Sequence, residues 1–261
     1  MLLVLDIGNT NTVAGLFEGD SLVGHWRLSS AERTSDEAGI TIRGLIRHAG
    51  MDASRIEGAI LSSVVPSLEE VWRDAIRSYL GVDPIVVSRR IDLGIEIGLD
   101  NPDEAGADRL VNAVAAMTKY GKPVISVDLG TAITFDVVSS DGAYIGGAIA
   151  PGLSVSMETL FRRTAKVPQI ALAAPERFIG RNTVSATQSG IVNGYTGLVD
   201  AINEGIFREL GTKTPVIATG GHAEILAGRS RTITHVEPWL TLEGLLILYR
   251  RCAKPGPGND A

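Results

Sequence analysis

The peptide Asp-Ile-Gly-Asn-Thr-Asn-Thr at residues 6–12 decides the fold, because it returns in similar form as Asp-Leu-Gly-Thr-Ala-Ile-Thr at residues 128–134. Each copy follows a short apolar stretch and leads into another, as a strand, a glycine turn and a second strand would. The spacing of the copies matches one modest domain. We therefore predict a duplicated chain whose halves face each other across a cleft, each offering one hairpin to a nucleotide.

The length and composition fit a globular protein with two domains. The chain has 261 residues, of which 44% are hydrophobic, and this is enough for two cores in domains of roughly 100 to 150 residues. The net charge of −6 argues against a protein that binds nucleic acid or a membrane mainly through phosphates, because such proteins usually carry a basic excess. We expect neither partner.

The cysteine and histidine content bears on the compartment and on metal chemistry. Cys252 is the only cysteine, so no intrachain disulfide is expected, in keeping with a reducing compartment. We find neither a secretion signal nor a run of about 18 apolar residues, and we expect a cytoplasmic location. The four histidines show no zinc-ligand spacing, and we interpret them as structural.

The hydrophobic pattern predicts an α/β fold with mixed sheets. In the first half we expect strands near residues 2–6, 12–18, 22–28, 56–64 and 85–87, and helices near 35–49, from 66 to 80 and from 103 or 104 to 120. In the second half we expect strands near 124–128, 132–138, 143–149 and 215–218, and helices near 153–163, 184–210, 222–228 and 242–251.

The repeated hairpins suit a phosphoryl-transfer site. Gly8 and Gly130 let the backbone approach phosphate oxygens, and the neighbouring threonine and asparagine side chains add donors. Asp6 and Asp128, at the strand ends, would hold a cation or its waters. One such peptide alone would read as an ordinary Asp-Gly turn, but two copies with matching strands favour the phosphate interpretation. The P-loop and dinucleotide fingerprints are absent from the sequence.

The hairpins, with Thr219-Gly220-Gly221 as a third nucleotide element, resemble the superfamily of acetate and sugar kinases, heat-shock chaperones and actin. Within it, the chain resembles type III pantothenate kinase from about residue 1 to 250. Besides the hairpins, the resemblance rests on peptides at 101–102, 106–109, 146–152, 180–183 and 219–221. It implies duplicated ribonuclease H-like, actin-like ATPase domains, which we place at 1–118 and 119–253, followed by a flexible tail at 254–261.

The resemblance implies transfer of phosphate from ATP to pantothenate, the first step of coenzyme A biosynthesis. It implies Mg²⁺ and a monovalent cation, K⁺ or NH₄⁺, with Asp128 and Asp6 as the metal residues and Asp128 next to the monovalent ion. The nucleotide residues implied are Asp6, Ile7, Gly8, Asn9, Thr10, Asn11, Thr12, Val13, Thr131, Gly220 and Gly221.

The acceptor residues implied by the resemblance are Gly106, Ala107, Asp108, Arg109 and Thr183. Asp108, in the first turns of a predicted helix, corresponds to the family's proton acceptor, and Arg109 offers a planar fork for the pantothenate carboxylate. From the residues alone, Asp108 could equally be an exposed carboxylate on the helix surface, and Arg109 could form a surface salt bridge of small worth. Thr183 corresponds to a residue that reaches pantothenate across a homodimer interface, although its position also suits a helix cap near Val184.

One position departs from the family pattern. A tyrosine often lies nine residues before the catalytic aspartate, where this chain has Leu99. An apolar contact remains there, but a phenolic hydrogen bond does not. Two alternatives stay open at this point, namely another small-molecule kinase of the superfamily and a non-enzymatic transcriptional accessory protein with the same fold.

Overall fold

A computed structural model describes residues 1–164 and 169–253, so the predicted tail at 254–261 lies outside the described residues. The chain divides into two compact units. The first contains residues 1–96, 100–115 and the chain from Thr241 onward, and the second contains residues 97–99 and 116–240.

The first unit is built on a five-stranded sheet in the order β3-β2-β1-β4-β5. Strands β1, β2 and β3 are antiparallel neighbours, whereas β4 is parallel to β1 and β5 is parallel to β4. Its elements are β1 (Leu2–Ile7), β2 (Asn11–Glu18), β3 (Ser21–Ser29), α1 (Ser35–His48), β4 (Gly58–Ser63), α2 (Pro66–Leu80) and β5 (Ile85–Val86), with 3-10 turns at Ala53–Arg55 and Pro102–Glu104.

The second unit is built on a six-stranded sheet in the order β11-β10-β7-β8-β9-β6. Strands β7, β8 and β9 are antiparallel neighbours, and β10 and β11 continue the sheet in parallel from β7. Its elements are β6 (Glu96–Ile97), β7 (Val124–Leu129), β8 (Ala132–Val138), β9 (Ala143–Pro151), α4 (Leu153–Arg163), α5 (Thr183–Leu210), β10 (Val216–Thr219), α6 (Ala223–Ala227) and β11 (His235–Val236).

The two sheets repeat one topology, which confirms the predicted duplicated α/β fold. Strands β7 to β11, without the added β6, follow the same order and the same parallel and antiparallel senses as β1 to β5. In both, an antiparallel hairpin begins at the strand that carries the aspartate, and a parallel strand lies on its other side. The repeat places both hairpins at equivalent positions of their sheets.

Two further helices complete the chain. Helix α3 (Ala107–Tyr120) starts in the first unit, and helix α7 (Leu240–Ala253) belongs to it from Thr241. The Thr241 hydroxyl donates to Asn112 Oδ1 at 2.8 Å, and a Cβ on Gly244 would lie 2.6 Å from the Val111 carbonyl oxygen. This close packing explains why α7 belongs to the first unit from Thr241 onward. The domain boundary between residues 118 and 119, which would place α7 in the second domain, stays a prediction.

Each unit has its own apolar core. The first core is formed by buried side chains from β1, β2, β4, α1 and α2, with the fully buried Trp72 among them, and the second by buried side chains from β7, β8, β10 and α5. Burial alternates along β3 and β9, whose exposed positions are compatible with a solvated face. None of the helices in the described residues combines the length and apolarity that a membrane crossing requires.

Several local features differ from the sequence-based expectation, among them the end residues of α7, which runs from Leu240 to Ala253. Strands β6 and β11 were not predicted, because a two-residue strand carries no readable periodicity. Helix α3 begins at Ala107 rather than at 103 or 104, since the Asn101 side chain caps a separate 3-10 turn and Ala105 is extended. Helix α5 begins at Thr183, one residue earlier than expected.

Candidate active site

The first hairpin carries its polar groups at its tip. The Gly8 amide donates to the Asn11 carbonyl oxygen at 3.0 Å, which closes the turn and leaves Asn9 and Thr10 exposed. Ile7 is fully buried in the first core, and Thr12 is buried with its hydroxyl 3.0 Å from that of Ser30. A ligand at this hairpin would therefore meet Ile7 and Thr12 through the backbone rather than through their side chains.

Asp6 lies next to this turn, at the end of β1 and opposite Ser62 of the parallel strand β4. The Ser62 hydroxyl, which is fully buried, donates to Asp6 Oδ1 at 2.7 Å. Burial and, after it, the charge of Asp108 raise the pKa of Asp6 to about 7, against the opposing effect of the Ser62 hydrogen bond. The first unit therefore brings Asp6 and Asp108 together.

Asp108 is the second residue of α3 and is half-buried. Its Oδ1 accepts a hydrogen bond from the Arg109 amide at 2.8 Å, and a Cβ on Gly106 would lie only 2.7 Å from the same oxygen. Burial raises the pKa of Asp108, although the amide and the positive charge of Arg109 oppose this shift. A fully solvated carboxylate would not have its pKa raised by burial. The raised pKa therefore argues against the interpretation of Asp108 as an exposed carboxylate on the helix surface.

The second hairpin packs its aspartate against a glycine turn. Asp128 lies opposite Thr219 of β10, and a Cβ on Gly220 would lie 2.4 Å from Asp128 Oδ1. Gly220 has a φ of +89°, a backbone conformation that residues other than glycine rarely adopt. Thr131 and Gly221 are exposed beside these residues, so the second unit brings the predicted residues of this hairpin together.

Thr183 is the first residue of α5 and is exposed. The cap is the preceding residue, Asn182, whose side chain accepts from the Ser185 amide at 2.8 Å. The Ser185 hydroxyl accepts in turn from the Asn182 amide at 3.3 Å and completes a capping box. The suggestion that Thr183 caps this helix is therefore wrong, which leaves its side chain available for another role.

Leu99 lies against the glycine-rich segment at 146–152, one of the peptides on which the resemblance rests. A Cβ on Gly146, whose φ is +105°, would lie 3.2 Å from Leu99 Cδ2. The adjacent Gly98 amide donates to the Tyr144 carbonyl oxygen at 2.8 Å. The position that departs from the family pattern is thus an apolar contact on the Gly146 turn.

Two residues next to the predicted nucleotide residues, one in each unit, were given no part in nucleotide binding by the sequence analysis. Ser62 was not singled out, although the duplication aligns the end of β4 with the end of β10, where Thr219 precedes the glycine pair. His222 was interpreted as structural, and its Nε2 lies 2.9 Å from the Ser154 hydroxyl at the start of α4, which agrees with that interpretation. The repeat contained the signal for Ser62, and the position of His222 directly after Gly221 contained the signal for the histidine.

The number of acidic side chains beside the hairpins bears on which metal ion could bind there. No cluster of three or more acidic, histidine or cysteine side chains suited to a metal occurs among residues 1–164 and 169–253. Each hairpin offers one partly exposed carboxylate, Asp6 or Asp128. This donor set fits Mg²⁺, which usually keeps several waters and is bound by one or two carboxylates together with substrate phosphates.

Comparison with known proteins identifies close relatives. The type III pantothenate kinase family model matches residues 2–204. The type III pantothenate kinase of Geobacter sulfurreducens is 50% identical over 252 residues, which cover 96% of this chain and 99% of that protein. That of Myxococcus xanthus is 47% identical over 252 residues, covering 96% and 98%.

Solved structures show a more distant likeness, in the fold. A Campylobacter jejuni protein described as a Baf family transcriptional activator superposes with a TM-score of 0.59 at 16% identity, covering 95% of this chain and 97% of that chain. Component A of (R)-2-hydroxyglutaryl-CoA dehydratase from Acidaminococcus fermentans gives 0.54 at 15%, covering 97% and 99%. At such identities the likeness concerns the fold and not the activity.

Proposed function

The chain belongs to the type III pantothenate kinase family, and we propose on this basis that it transfers the γ-phosphoryl group of ATP to the primary hydroxyl of pantothenate. This ATP-dependent reaction opens the route to coenzyme A. The observation that carries the proposal is the nearly full-length identity of 47–50% to pantothenate kinases. It is supported by the repeated phosphate hairpins and by a half-buried carboxylate, Asp108, in the same unit as the first hairpin.

Asp108 is the catalytic residue in this proposal. A kinase that acts on an alcohol needs a carboxylate to orient the hydroxyl and to accept its proton as the phosphoryl group is transferred. Burial raises the pKa of Asp108, and the Arg109 amide holds its Oδ1 at 2.8 Å. Both effects favour this role, because a carboxylate of raised pKa is a better proton acceptor and a fixed one needs less reorganisation.

The hairpins bind the phosphates in this proposal. Exposed groups of Asn9, Thr10 and Thr131 donate to phosphate oxygens, and Gly8 and Gly130, which carry no Cβ, let the phosphates approach the turns. Asp6 and Asp128 hold Mg²⁺ directly or through its waters, and Asp128 also lies next to the monovalent cation, K⁺ or NH₄⁺. When bound, these cations offset the charge that gathers on the phosphate oxygens. The partly exposed carboxylates of Asp6 and Asp128, one beside each hairpin, support the Mg²⁺ assignment.

The acceptor is held by the residues around the start of α3 and by a second protomer. Arg109 pairs with the pantothenate carboxylate, and Gly106 and Ala107 shape the pocket next to Asp108. Thr183 reaches pantothenate from the partner chain of a homodimer. This part is supported by the exposure of Thr183 and by large exposed apolar side chains of the second unit, which a monomer would leave in water: Ile145, Ile149, Val155, Phe178, Ile179 and Val184. We further place the enzyme in the cytoplasm, where its nucleotide substrate is abundant.

A substrate panel tests the function. The protein is incubated with ATP, Mg²⁺ and K⁺ and with pantothenate, a hexose or a short carboxylic acid in turn, and products are identified by mass spectrometry. We expect phosphopantothenate alone. Phosphorylation of another acceptor in preference to pantothenate, or no phosphorylation at all, would overturn the assignment.

A further inference from the structure

His222 follows the Gly220-Gly221 turn and binds two other segments of the second unit. Its backbone amide donates to the Leu129 carbonyl oxygen at 3.3 Å, at the end of the strand that leads into the second hairpin. Its Nε2 lies 2.9 Å from the Ser154 hydroxyl. One residue therefore links the glycine turn, the second hairpin and helix α4.

Ser154 is the second residue of α4, which directly follows the glycine-rich segment at 146–152. That segment is itself fitted to the hairpin tip. The Gly152 amide donates to the Thr131 carbonyl oxygen at 3.0 Å, and a Cβ on Gly152 would lie 2.3 Å from the same oxygen. The position of Ser154 is thus tied to Thr131, which is a predicted nucleotide residue.

The hydrogen bond between His222 and Ser154 is suited to positioning more than to stabilisation. The partners are 68 residues apart in sequence, so the bond directly joins two segments that are distant along the chain. Ser154 is exposed and His222 is half-buried, and an exposed hydrogen bond contributes little to folding because water replaces it readily. Either neutral tautomer of His222 can make the bond, since the serine hydroxyl both donates and accepts.

We propose that His222 is a positioning residue, which holds the start of α4 against the Gly220-Gly221 turn through Ser154 and so sets the shape of the second phosphate-binding hairpin. This inference rests on the proposed function, because it assumes that this hairpin binds ATP. The histidine acts through its neighbours and takes no part in proton transfer to pantothenate.

The test uses His222→Ala, Ser154→Ala and the double variant, with the ATP dissociation constant measured by calorimetry and with kcat and the KM for ATP measured in turnover. We expect each single variant to weaken ATP binding about 3- to 10-fold, because a hairpin that is less well held must be ordered when ATP binds, while kcat changes little. The double variant should be no weaker than the weaker single one, because both remove the same bond. Ser154→Thr keeps the hydroxyl and should bind ATP as the wild type does.

Thr159→Ala provides the matched control, since the hydroxyl of this exposed α4 residue donates to the Val155 carbonyl oxygen of its own helix. Its ATP affinity should not change. Lowered melting temperatures with unchanged ATP affinity in the His222 and Ser154 variants would show a purely structural bond and overturn the proposal, as would additive losses in the double variant. Wild-type turnover is a separate matter: a wild type that binds ATP without forming phosphopantothenate would overturn the function and leave the comparison of ATP affinities valid.

Discussion

Asp6, at the end of β1, and Asp108, in the first turn of α3, lie close enough within the first unit for their charges to repel. The pKa of Asp6 is raised to about 7, mainly by burial and next by the negative charge of Asp108. Two carboxylates at such range attract cations, and they share this unit with the first hairpin. The relationship joins the residue proposed to hold Mg²⁺ to the residue proposed to accept the proton.

Ser62→Ala should impair the first hairpin without unfolding the protein. The substitution removes the hydroxyl that donates to Asp6 Oδ1 at 2.7 Å, which leaves the carboxylate less well oriented. We expect the KM for MgATP to rise about 3- to 10-fold, as measured by steady-state kinetics. Ser62→Thr keeps the hydroxyl and should restore most of the affinity.

Ser63→Ala is the control for that experiment, because the Ser63 hydroxyl bonds the Val65 backbone and not a carboxylate. Its KM for MgATP should stay close to the wild-type value. A Ser62→Ala enzyme with wild-type KM would show that Asp6 needs no support from this serine.

Gly220→Ala should abolish ATP binding. The new Cβ would lie 2.4 Å from Asp128 Oδ1 and 2.8 Å from backbone atoms of Leu129, and the positive φ of +89° adds about 1–2 kcal/mol of strain. We expect loss of detectable ATP binding in calorimetry together with a lower melting temperature. Gly44→Ala, in α1 with open space around the new Cβ, should bind ATP normally and unfold no earlier. Normal ATP binding by Gly220→Ala would exclude this turn from the nucleotide site.

Asp200 should make the second unit sensitive to acid. Burial acts to raise its pKa, but hydrogen bonds from the Ser230 and Thr232 hydroxyls and from the Arg231 and Thr232 amides outweigh it and hold the pKa below its ordinary value. The stabilisation is therefore complete above the unfolded-state pKa of about 3.9 and is lost as the pH falls through the lower folded-state pKa.

Asp200→Asn should lower the free energy of unfolding at pH 7 by about 1–3 kcal/mol, as measured by urea titration. The difference from the wild type should shrink as the pH is lowered below 4. A difference that stays constant between pH 7 and pH 3 would mean that the charge of Asp200 contributes nothing.

The composite site can be tested by mixing two inactive variants. If Thr183 serves the pocket of the partner chain, a mixed dimer of Asp108→Asn and Thr183→Ala has one intact site. An equal mixture whose subunits exchange freely should regain about one quarter of wild-type turnover. Turnover that stays at the level of the separate variants would place Thr183 in the pocket of its own chain or outside it.

Much of the fold could be predicted because its signals are local. The two hairpins follow from apolar strands that flank a glycine turn, and the repeat of that pattern predicted the repeat of the sheet. Helix α5 was placed within a residue of its observed ends, Thr183 and Leu210, and Gly211 follows it with a φ of +69°.

The remaining features depend on contacts between distant parts of the chain. Ser62 meets Asp6 because β4 pairs with β1 in one particular register, and Ser154 meets His222 across 68 residues. The hydrophobic periodicity of a sequence carries no information about hydrogen bonds between such distant residues. At the start of α5, both Asn182 and Thr183 are residue types that cap helices, and only the bond from the Ser185 amide to Asn182 shows which one does so.

The most direct test of the central claim is Asp108→Asn, which keeps the shape of the side chain and removes its ability to accept a proton. We expect ATP to bind with an affinity within about threefold of the wild type, while kcat for phosphopantothenate formation falls at least about 100-fold. Asp103→Asn, which removes only an exposed ion pair with Arg89, should retain normal kcat. Turnover by Asp108→Asn close to that of the wild type would contradict the role of Asp108 as the base and the mechanism built on it.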